Sequence, residues 1–203
     1  MKKTLFALLW FVLCASSQAG QTILVFGDSL SAGFGIGQEQ SWPALLAQRL
    51  AAARDPYQIA NASISGETSS GGLSRLGPAL RQFQPAIVII ELGANDGLRG
   101  LSLEQMRANL SRMIQLCRQR HAQVLLVGIR LPPNYGMDYT EQFAATYAEL
   151  KRQHRIALLP FLFEGFAGNR DAFQEDGLHP TAAMQPLMLD NVWRALLPLL
   201  RKS

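Results

Sequence analysis

The residues of this chain whose types and spacing could perform chemistry lie in four short stretches. Ser29 belongs to the stretch GDSLS, which follows an apolar run typical of a buried strand. His179 follows Asp176 by three residues, so one tight turn can place the Asp176 carboxylate on the imidazole Nδ1. A serine nucleophile, a histidine base and a carboxylate that orients the base are the parts of an acyl-transfer site. The pattern therefore predicts these roles for Ser29, His179 and Asp176.

Acyl transfer also needs hydrogen-bond donors for the developing oxyanion, and two further stretches supply candidates. Gly66 follows the second predicted strand, and Asn95 follows the third. The carboxyl ends of parallel strands open on one crevice, so we expect both residues to lie beside Ser29. The expected donors are the backbone N–H groups of Ser29 and Gly66 and the side-chain amide of Asn95. Asp28 and Asp96 are interpreted as hydrogen-bonded braces of their loops.

Each of these stretches also has an ordinary structural explanation. Glycine, aspartate, asparagine and serine are common turn residues, and His179 before a proline could simply cap a helix. The occurrence of all four stretches at strand ends or in one late loop favours the catalytic interpretation. The other histidines, His121 and His154, lie near the ends of amphipathic helices, where they complement the helix dipole. No cluster has the spacing of metal ligands, so we predict neither a metal nor another cofactor.

The elements that must position these residues alternate regularly along the chain. Five runs are predicted to be strands: Thr22–Phe26, Tyr57–Ala60, Ala86–Leu92, Gln123–Ile129 and Ile156–Leu159. Helical segments with capping signals or apolar stripes separate them. Such alternation predicts an α/β fold of three layers (αβα), in which helices cover both faces of a parallel sheet and the crossovers are right-handed.

Glycine and proline residues in two of the helices predict where these helices break, begin or end. The helix over 68–83 is predicted to be broken at Gly71-Gly72 and again at Gly77-Pro78. The last helix is predicted to begin at Pro180, in its first turn, and to end at about Leu200.

The amino terminus has the pattern of a secretory signal peptide. Lys2 and Lys3 precede an apolar run over 5–13, and Ser17-Gln18-Ala19 is a small-x-small cleavage site. The apolar run is too short to span a bilayer, which disfavours an uncleaved anchor. Lipidation at Cys14 is disfavoured because a leucine precedes it. We therefore expect residues 1–19 to be removed and residues 20–203 to form a single domain.

Charge and cysteine content restrict the classes of partner and the source of stability. The formal net charge of +4 falls to +2 once the two signal-peptide lysines are removed, and no basic run remains. This is too little charge to indicate binding to nucleic acid or to a membrane surface. Cys117 is then the only cysteine, so no internal disulfide can form. Its place on an apolar helix face indicates core packing.

The four stretches GDSLS, NASISGETS, GANDG and DGLHP stand in the order of the four blocks of the GDSL hydrolases, also called SGNH hydrolases. The chain resembles this family, and the residues that give it its name fall on Ser29, Gly66, Asn95 and His179. The strings ELGANDGLRG, IRLPPNYG and LLPF are similar to those of its periplasmic acyl-CoA thioesterase I, lysophospholipase L1 and arylesterase group. Glu67, where an aspartate is common, and a glycine-rich loop over 33–37 depart from the pattern.

This resemblance implies a flavodoxin-like sheet of order 2-1-3-4-5 and hydrolysis of carboxylic esters and thioesters through an acyl-enzyme. An acetyl esterase acting on sugar or peptidoglycan acetate, and a non-catalytic exported binding module, are the alternatives. The loops over 33–40 and 131–138 are apolar and aromatic, which favours an acyl chain as substrate. We expect a bacterial periplasmic or secreted monomer with a small-molecule acyl substrate, no nucleic-acid partner and no stable membrane insertion.

Overall fold

The structure, a computed structural model, describes residues 21–201, and the predicted signal peptide lies outside the described residues. The strands are β1 (Thr22–Gly27), β2 (Gln58–Asn61), β3 (Ile87–Glu91), β4 (Gln123–Val127) and β5 (Ala157–Leu159). The α-helices are α1 (Ser29–Ala32), α2 (Trp42–Ala52), α3 (Ser69–Phe83), α4 (Ala94–Leu98), α5 (Leu103–Gln119), α6 (Met137–His154) and α7 (Gln185–Leu200). Short 3-10 turns occur at Gln38–Gln40, Pro133–Tyr135, Arg170–Ala172 and Ala182–Met184.

The five strands form one sheet in the order β2-β1-β3-β4-β5, and every neighbouring pair is parallel. This confirms the expected order. The register places Leu24 beside Val88 and Val88 beside Val124. All five residues of β3 are buried, because a strand at the centre of a covered parallel sheet has no face in water.

Helices cover both faces of this sheet, which confirms the three-layer arrangement. On one face α2 packs against α7, and on the other α3, α5 and α6 lie side by side. The largest fully buried side chains include Trp42 on α2 and Phe143 and Tyr147 on α6, all of which belong to the hydrophobic core. Full burial of a large apolar side chain contributes roughly 1.5–3 kcal/mol relative to its exposure, so these layers are the main source of stability.

Helix α3 is continuous, and the prediction that it would be broken is wrong. Thr68 caps its amino terminus by accepting a hydrogen bond from the Gly71 N–H at 3.2 Å. Gly72 lies directly against the sheet: a Cβ built on it would come within 2.5 Å of Leu92 Cδ1. The glycine therefore permits close helix–sheet packing, and burial of Leu76 and its neighbours outweighs the low helix propensity of the sequence.

The last helix begins at Gln185, so the prediction that it would start at Pro180 is also wrong. The carbonyl of His179 accepts the backbone N–H of Gln174 at 2.8 Å, and Pro180 pairs with Phe173 in an isolated antiparallel bridge. These tertiary hydrogen bonds hold the segment extended past residue 180. Pro186 instead takes the first-turn position of α7, where its missing N–H costs nothing.

The thiol of Cys117 lies on the inner face of α5 and is fully buried, which confirms its role in core packing. Burial raises the pKa of this thiol to about 12. Between residues 21 and 201, none of the helices has both the length and the apolar character needed to cross a bilayer.

Candidate active site

Ser29 is placed by the junction between β1 and the short helix α1. The strand ends at Gly27, and Asp28 then caps the helix by accepting the Leu30 N–H on Oδ1 at 3.0 Å. Ser29 is thus the first residue of α1, at the carboxyl edge of the sheet. Parallel α/β sheets bind their ligands at this edge.

A continuous chain of hydrogen bonds connects the three residues predicted to act together. Ser29 Oγ lies 2.8 Å from His179 Nε2. His179 Nδ1 lies 2.6 Å from Asp176 Oδ2. The other carboxylate oxygen, Asp176 Oδ1, accepts the backbone N–H groups of Leu178 at 2.8 Å and His179 at 3.0 Å. The carboxylate therefore shapes the turn and also holds the imidazole.

The Asp176 carboxyl has a lowered pKa. Partial burial acts to raise this pKa, but hydrogen bonds from the His179 backbone and side chain and from the Leu178 N–H outweigh it. The result is a pKa of about 2. Asp176 is therefore ionised at neutral pH and accepts a hydrogen bond from an imidazole that carries its proton on Nδ1. This tautomer leaves Nε2 free to accept the proton of Ser29.

Gln174 fixes the loop that carries His179, and sequence reasoning missed it. Its side-chain Nε2 donates to the carbonyl of Phe34 at 2.8 Å and to that of Pro180 at 3.1 Å. The Phe34 ring consequently lies against the imidazole, with ring centroids 4.5 Å apart. A surface glutamine carries no pattern that distinguishes such a contact from solvation.

Gly66 and Asn95 lie close to the serine. Gly66 has a φ of +77°, which favours glycine, and its carbonyl accepts a hydrogen bond from Arg99 Nη2 at 3.0 Å. Asn95 Nδ2 donates to Asp28 Oδ2 at 3.1 Å and to the Glu67 carbonyl at 3.0 Å. The amide therefore joins the turn of the serine to the Gly66-Glu67 loop.

Ser29, Gly66, Asn95 and His179 all line one cleft of about 790 Å³. Most of its other lining residues are apolar, among them Phe34, Leu98, Ile129, Leu131, Phe161 and Leu178. Arg130 also lines it, with its guanidinium 4.8 Å from the centre of the Phe161 ring. A mostly apolar cleft with a few polar groups at one point is typical of a small-molecule binding site.

Buried acidic residues brace the loops beneath the site. Asp96 accepts hydrogen bonds from Ser69, at 2.8 Å from the backbone N–H and 2.5 Å from the hydroxyl. Asp28 braces the serine turn, so the interpretation of both aspartates as braces is confirmed. Glu91, at the end of β3, is also fully buried beneath that turn. Sequence reasoning assigned it only to a strand.

The remaining histidines have structural surroundings. His154 Nε2 lies 2.8 Å from Ser111 Oγ, and burial together with nearby Arg118 lowers the pKa of this histidine. His121 lies two residues after the end of α5, with a φ of 60°. Within residues 21–201, no group of three or more histidine, cysteine, aspartate or glutamate side chains could hold a metal ion.

Comparison with known proteins gives consistent matches over most of the chain. A model of the GDSL-like lipase/acylhydrolase family matches residues 25–186. The chain is 50% identical to esterase TesA of Pseudomonas aeruginosa over 189 residues, which are 93% of this chain and 94% of that protein. It is 41% identical to the thioesterase 1/protease 1/lysophospholipase L1 of Escherichia coli strain K12, over 93% of this chain and 89% of that protein.

A solved structure agrees with these matches. The psychrotrophic esterase EstA from Pseudoalteromonas sp., in a structure inhibited by monoethylphosphonate, has a TM-score of 0.85 and 39% identity to this chain. The similarity covers 89% of this chain and 99% of that one.

Proposed function

Because this chain belongs to the GDSL-like lipase/acylhydrolase family and is a serine hydrolase of esters and thioesters, we propose that Ser29, His179 and Asp176 are its catalytic triad. The observation that carries this proposal is the unbroken chain of hydrogen bonds from Ser29 Oγ through the imidazole to the Asp176 carboxylate. The same arrangement defines serine acyl transfer on unrelated folds.

In the acylation step, Ser29 Oγ attacks the carbonyl carbon of the substrate while His179 Nε2 accepts the hydroxyl proton. The imidazolium that forms is stabilised by the ionised Asp176. The tetrahedral intermediate then collapses, the bond to the alcohol or thiol breaks, and His179 returns the proton to the leaving group. The acyl group remains on Ser29 as an ester.

In the deacylation step, His179 takes a proton from water, and the hydroxide equivalent attacks the acyl-Ser29 ester. The second tetrahedral intermediate releases the carboxylic acid, and the proton returns to Ser29 Oγ. Each step uses only groups of the protein, the substrate and water. We therefore propose that the reaction needs no metal or other cofactor.

The backbone N–H groups of Ser29 and Gly66 and the amide of Asn95 are proposed as the oxyanion donors. Asn95 Nδ2 already donates to Asp28 and to the Glu67 carbonyl. The charged oxygen of the intermediate is a stronger acceptor than a neutral carbonyl. We infer that it takes over the N–H directed at Glu67 while Asp28 keeps the amide in place.

Replacing Asn95 with alanine is expected to lower kcat by roughly a hundredfold or more, as for loss of one oxyanion donor, with little change in KM. The reason is that the amide contributes only after charge develops on the substrate oxygen. Asn95→Asp should be at least as impaired because its carboxylate repels that oxygen. Steady-state kinetics on variants with an unchanged melting temperature provide the measurement. A rise in KM at constant kcat would assign Asn95 to substrate binding instead.

An acyl chain longer than acetyl is the proposed occupant of the cleft. The cleft has a volume of about 790 Å³ and a mostly apolar lining. An acetyl group would fill only a small part of it. Because burial of each additional methylene contributes about 0.8 kcal/mol, kcat/KM should rise as the acyl chain lengthens from acetyl. A panel of p-nitrophenyl esters, acyl-CoAs, lysophospholipid and acetylated sugars tests this. Preference for sugar acetates over every longer acyl ester would favour the acetyl-esterase alternative.

We also propose that the enzyme is exported to the periplasm or beyond and that residues 1–19 are removed. The support is the basic start, the short apolar run and the small-x-small site before Gly20. Amino-terminal sequencing of the protein released by osmotic shock tests this proposal, and a sequence that begins at Met1 would contradict it.

A further inference from the structure

The Glu91 carboxyl lies directly behind the backbone of the serine turn. A Cβ built on Gly27 would come within 2.7 Å of Glu91 Oε2, so only glycine at position 27 lets the carboxyl approach. Glu91 Oε2 accepts the Ser31 hydroxyl at 2.7 Å and faces the Asp28 N–H at 3.4 Å. Among the described residues, no N–H or O–H group donates a hydrogen bond to Glu91 Oε1. Glu91 does not line the cleft, so its influence on the site passes through its neighbours.

Asp28 is the neighbour through which Glu91 can act. Its carboxylate accepts the Leu30 N–H on one oxygen and the Asn95 amide on the other. Asp28 thereby fixes both the start of the helix that carries Ser29 and the orientation of Asn95. Both oxygens have N–H donors, which favours the ionised form of Asp28. Glu91 receives one hydroxyl and one long N–H contact, which stabilise an anion less.

Two fully buried carboxyl groups in contact cannot both be ionised at an acceptable cost, and one must keep a proton. We propose that Glu91 is a positioning residue that stays protonated at neutral pH and donates its proton to the Asp28 carboxylate. A single negative charge then orients both the turn of Ser29 and the amide of Asn95. This inference rests on the roles proposed above for those two residues.

The electrostatic surroundings of the pair are consistent with this placement of the proton. Burial, and then the charge of Asp28, raise the pKa of Glu91 well above its usual range, and a hydrogen bond between the two carboxyls adds to this. Burial raises the pKa of Asp28 to only about 6, because the Leu30 N–H, His179 and Asn95 counteract it. Tyr147 from α6 also faces the pair, and it donates to the Leu92 carbonyl at 3.1 Å. Asp96 is the further acidic group acting on Tyr147.

Carbon-13 NMR of protein labelled at the glutamate side-chain carboxyl measures the protonation state directly. At pH 7 we expect one carboxyl resonance at the position of a protonated acid. That resonance should disappear in Glu91→Gln and persist in Glu141→Gln, the same chemical change at an exposed helix position. If every glutamate resonance lies at the ionised position at pH 7, the proposal is wrong. This readout does not depend on activity.

Kinetics separate the positioning role from simple packing. Glu91→Gln supplies a neutral N–H donor to Asp28, so kcat should stay within about threefold of the original value. Glu91→Leu leaves the Asp28 carboxylate buried without that donor, and kcat should fall by about tenfold or more with KM little changed. Equal losses in both variants, or full kcat in Glu91→Leu, would overturn the proposal. If the leucine variant does not fold, the NMR result still decides.

The two proposals fail in different ways. If the catalytic role of Ser29 is wrong, the original protein will not be labelled at Ser29 by a fluorophosphonate, whatever the state of Glu91. If only the present inference is wrong, labelling at Ser29 will proceed and no protonated glutamate will be found at pH 7.

Discussion

Replacing Ser29 with alanine is expected to abolish covalent labelling by a fluorophosphonate and to lower kcat by about ten thousandfold or more. The probe phosphonylates a serine whose proton is removed by an adjacent base, and Ser29 Oγ is the hydroxyl placed 2.8 Å from His179 Nε2. The substitution removes one oxygen at the start of α1, so the melting temperature should change little. Mass spectrometry of the labelled protein and steady-state kinetics provide the measurements.

Ser65→Ala is the matched control, because Ser65 lines the same cleft. Its labelling and kcat should remain close to those of the original protein. Persistent labelling of the Ser29→Ala protein at Ser63 or Ser65 would refute the assignment of Ser29 as nucleophile.

His179→Ala should also lower kcat by about ten thousandfold or more, and adding Asp176→Ala should produce no substantial further loss. In the proposed triad, the Asp176 carboxylate acts by holding the imidazole in one tautomer and by stabilising its charged form. Once the imidazole is gone, the carboxylate has nothing left to orient. The measurements are kcat for both single variants and for the double variant.

Asp171→Ala is the control for the loss of a carboxylate in the same irregular segment, because Asp171 is exposed and does not line the cleft. It should retain nearly full kcat. If the losses in His179→Ala and Asp176→Ala multiply in the double variant, the two residues act independently and the triad is wrong.

Much of the sheet could be predicted from the sequence because its signal is local. The run Ile87–Ile90 is apolar at four successive positions, and such a run can be buried only where both faces of a strand are covered. The order of the strands has no such local signal, because periodicity carries no information on which strands are neighbours. The order was implied by the resemblance to a family. The structure confirms that order.

The errors occurred where a contact beyond the three- or four-residue spacing of a helix overrode a local preference. Pro180 has the residue type of a helix start, but the hydrogen bonds of Gln174 and Ala172 to the adjoining backbone keep it extended. The glycines of α3 are weak helix formers, but Gly72 is favoured by the close approach of Leu92. Neither residue type nor hydropathy pattern predicts these contacts.

The candidate site also has one part that local sequence predicts and another that it does not. Asp176 and His179 are three residues apart, so the turn that joins them follows from local geometry. Glu91 reaches the serine turn only because β1 and β3 are paired, and it is 63 residues away from Asp28. A glutamate in an apolar strand indicates that a carboxyl group is buried. Its partner could not be identified until the strand order was known.

The full burial of Cys117 has a practical consequence for spectroscopy. With its pKa raised to about 12, this thiol has almost no reactive thiolate at neutral pH, and a maleimide cannot reach it. In a chain expressed from residue 20, no native cysteine has to be removed before a new one is introduced. A cysteine in place of Met137, which is 73% exposed and follows the Pro133–Tyr135 turn, would carry a single fluorophore. The dye would lie at the start of α6, close in sequence to Pro132 and Pro133, which line the cleft.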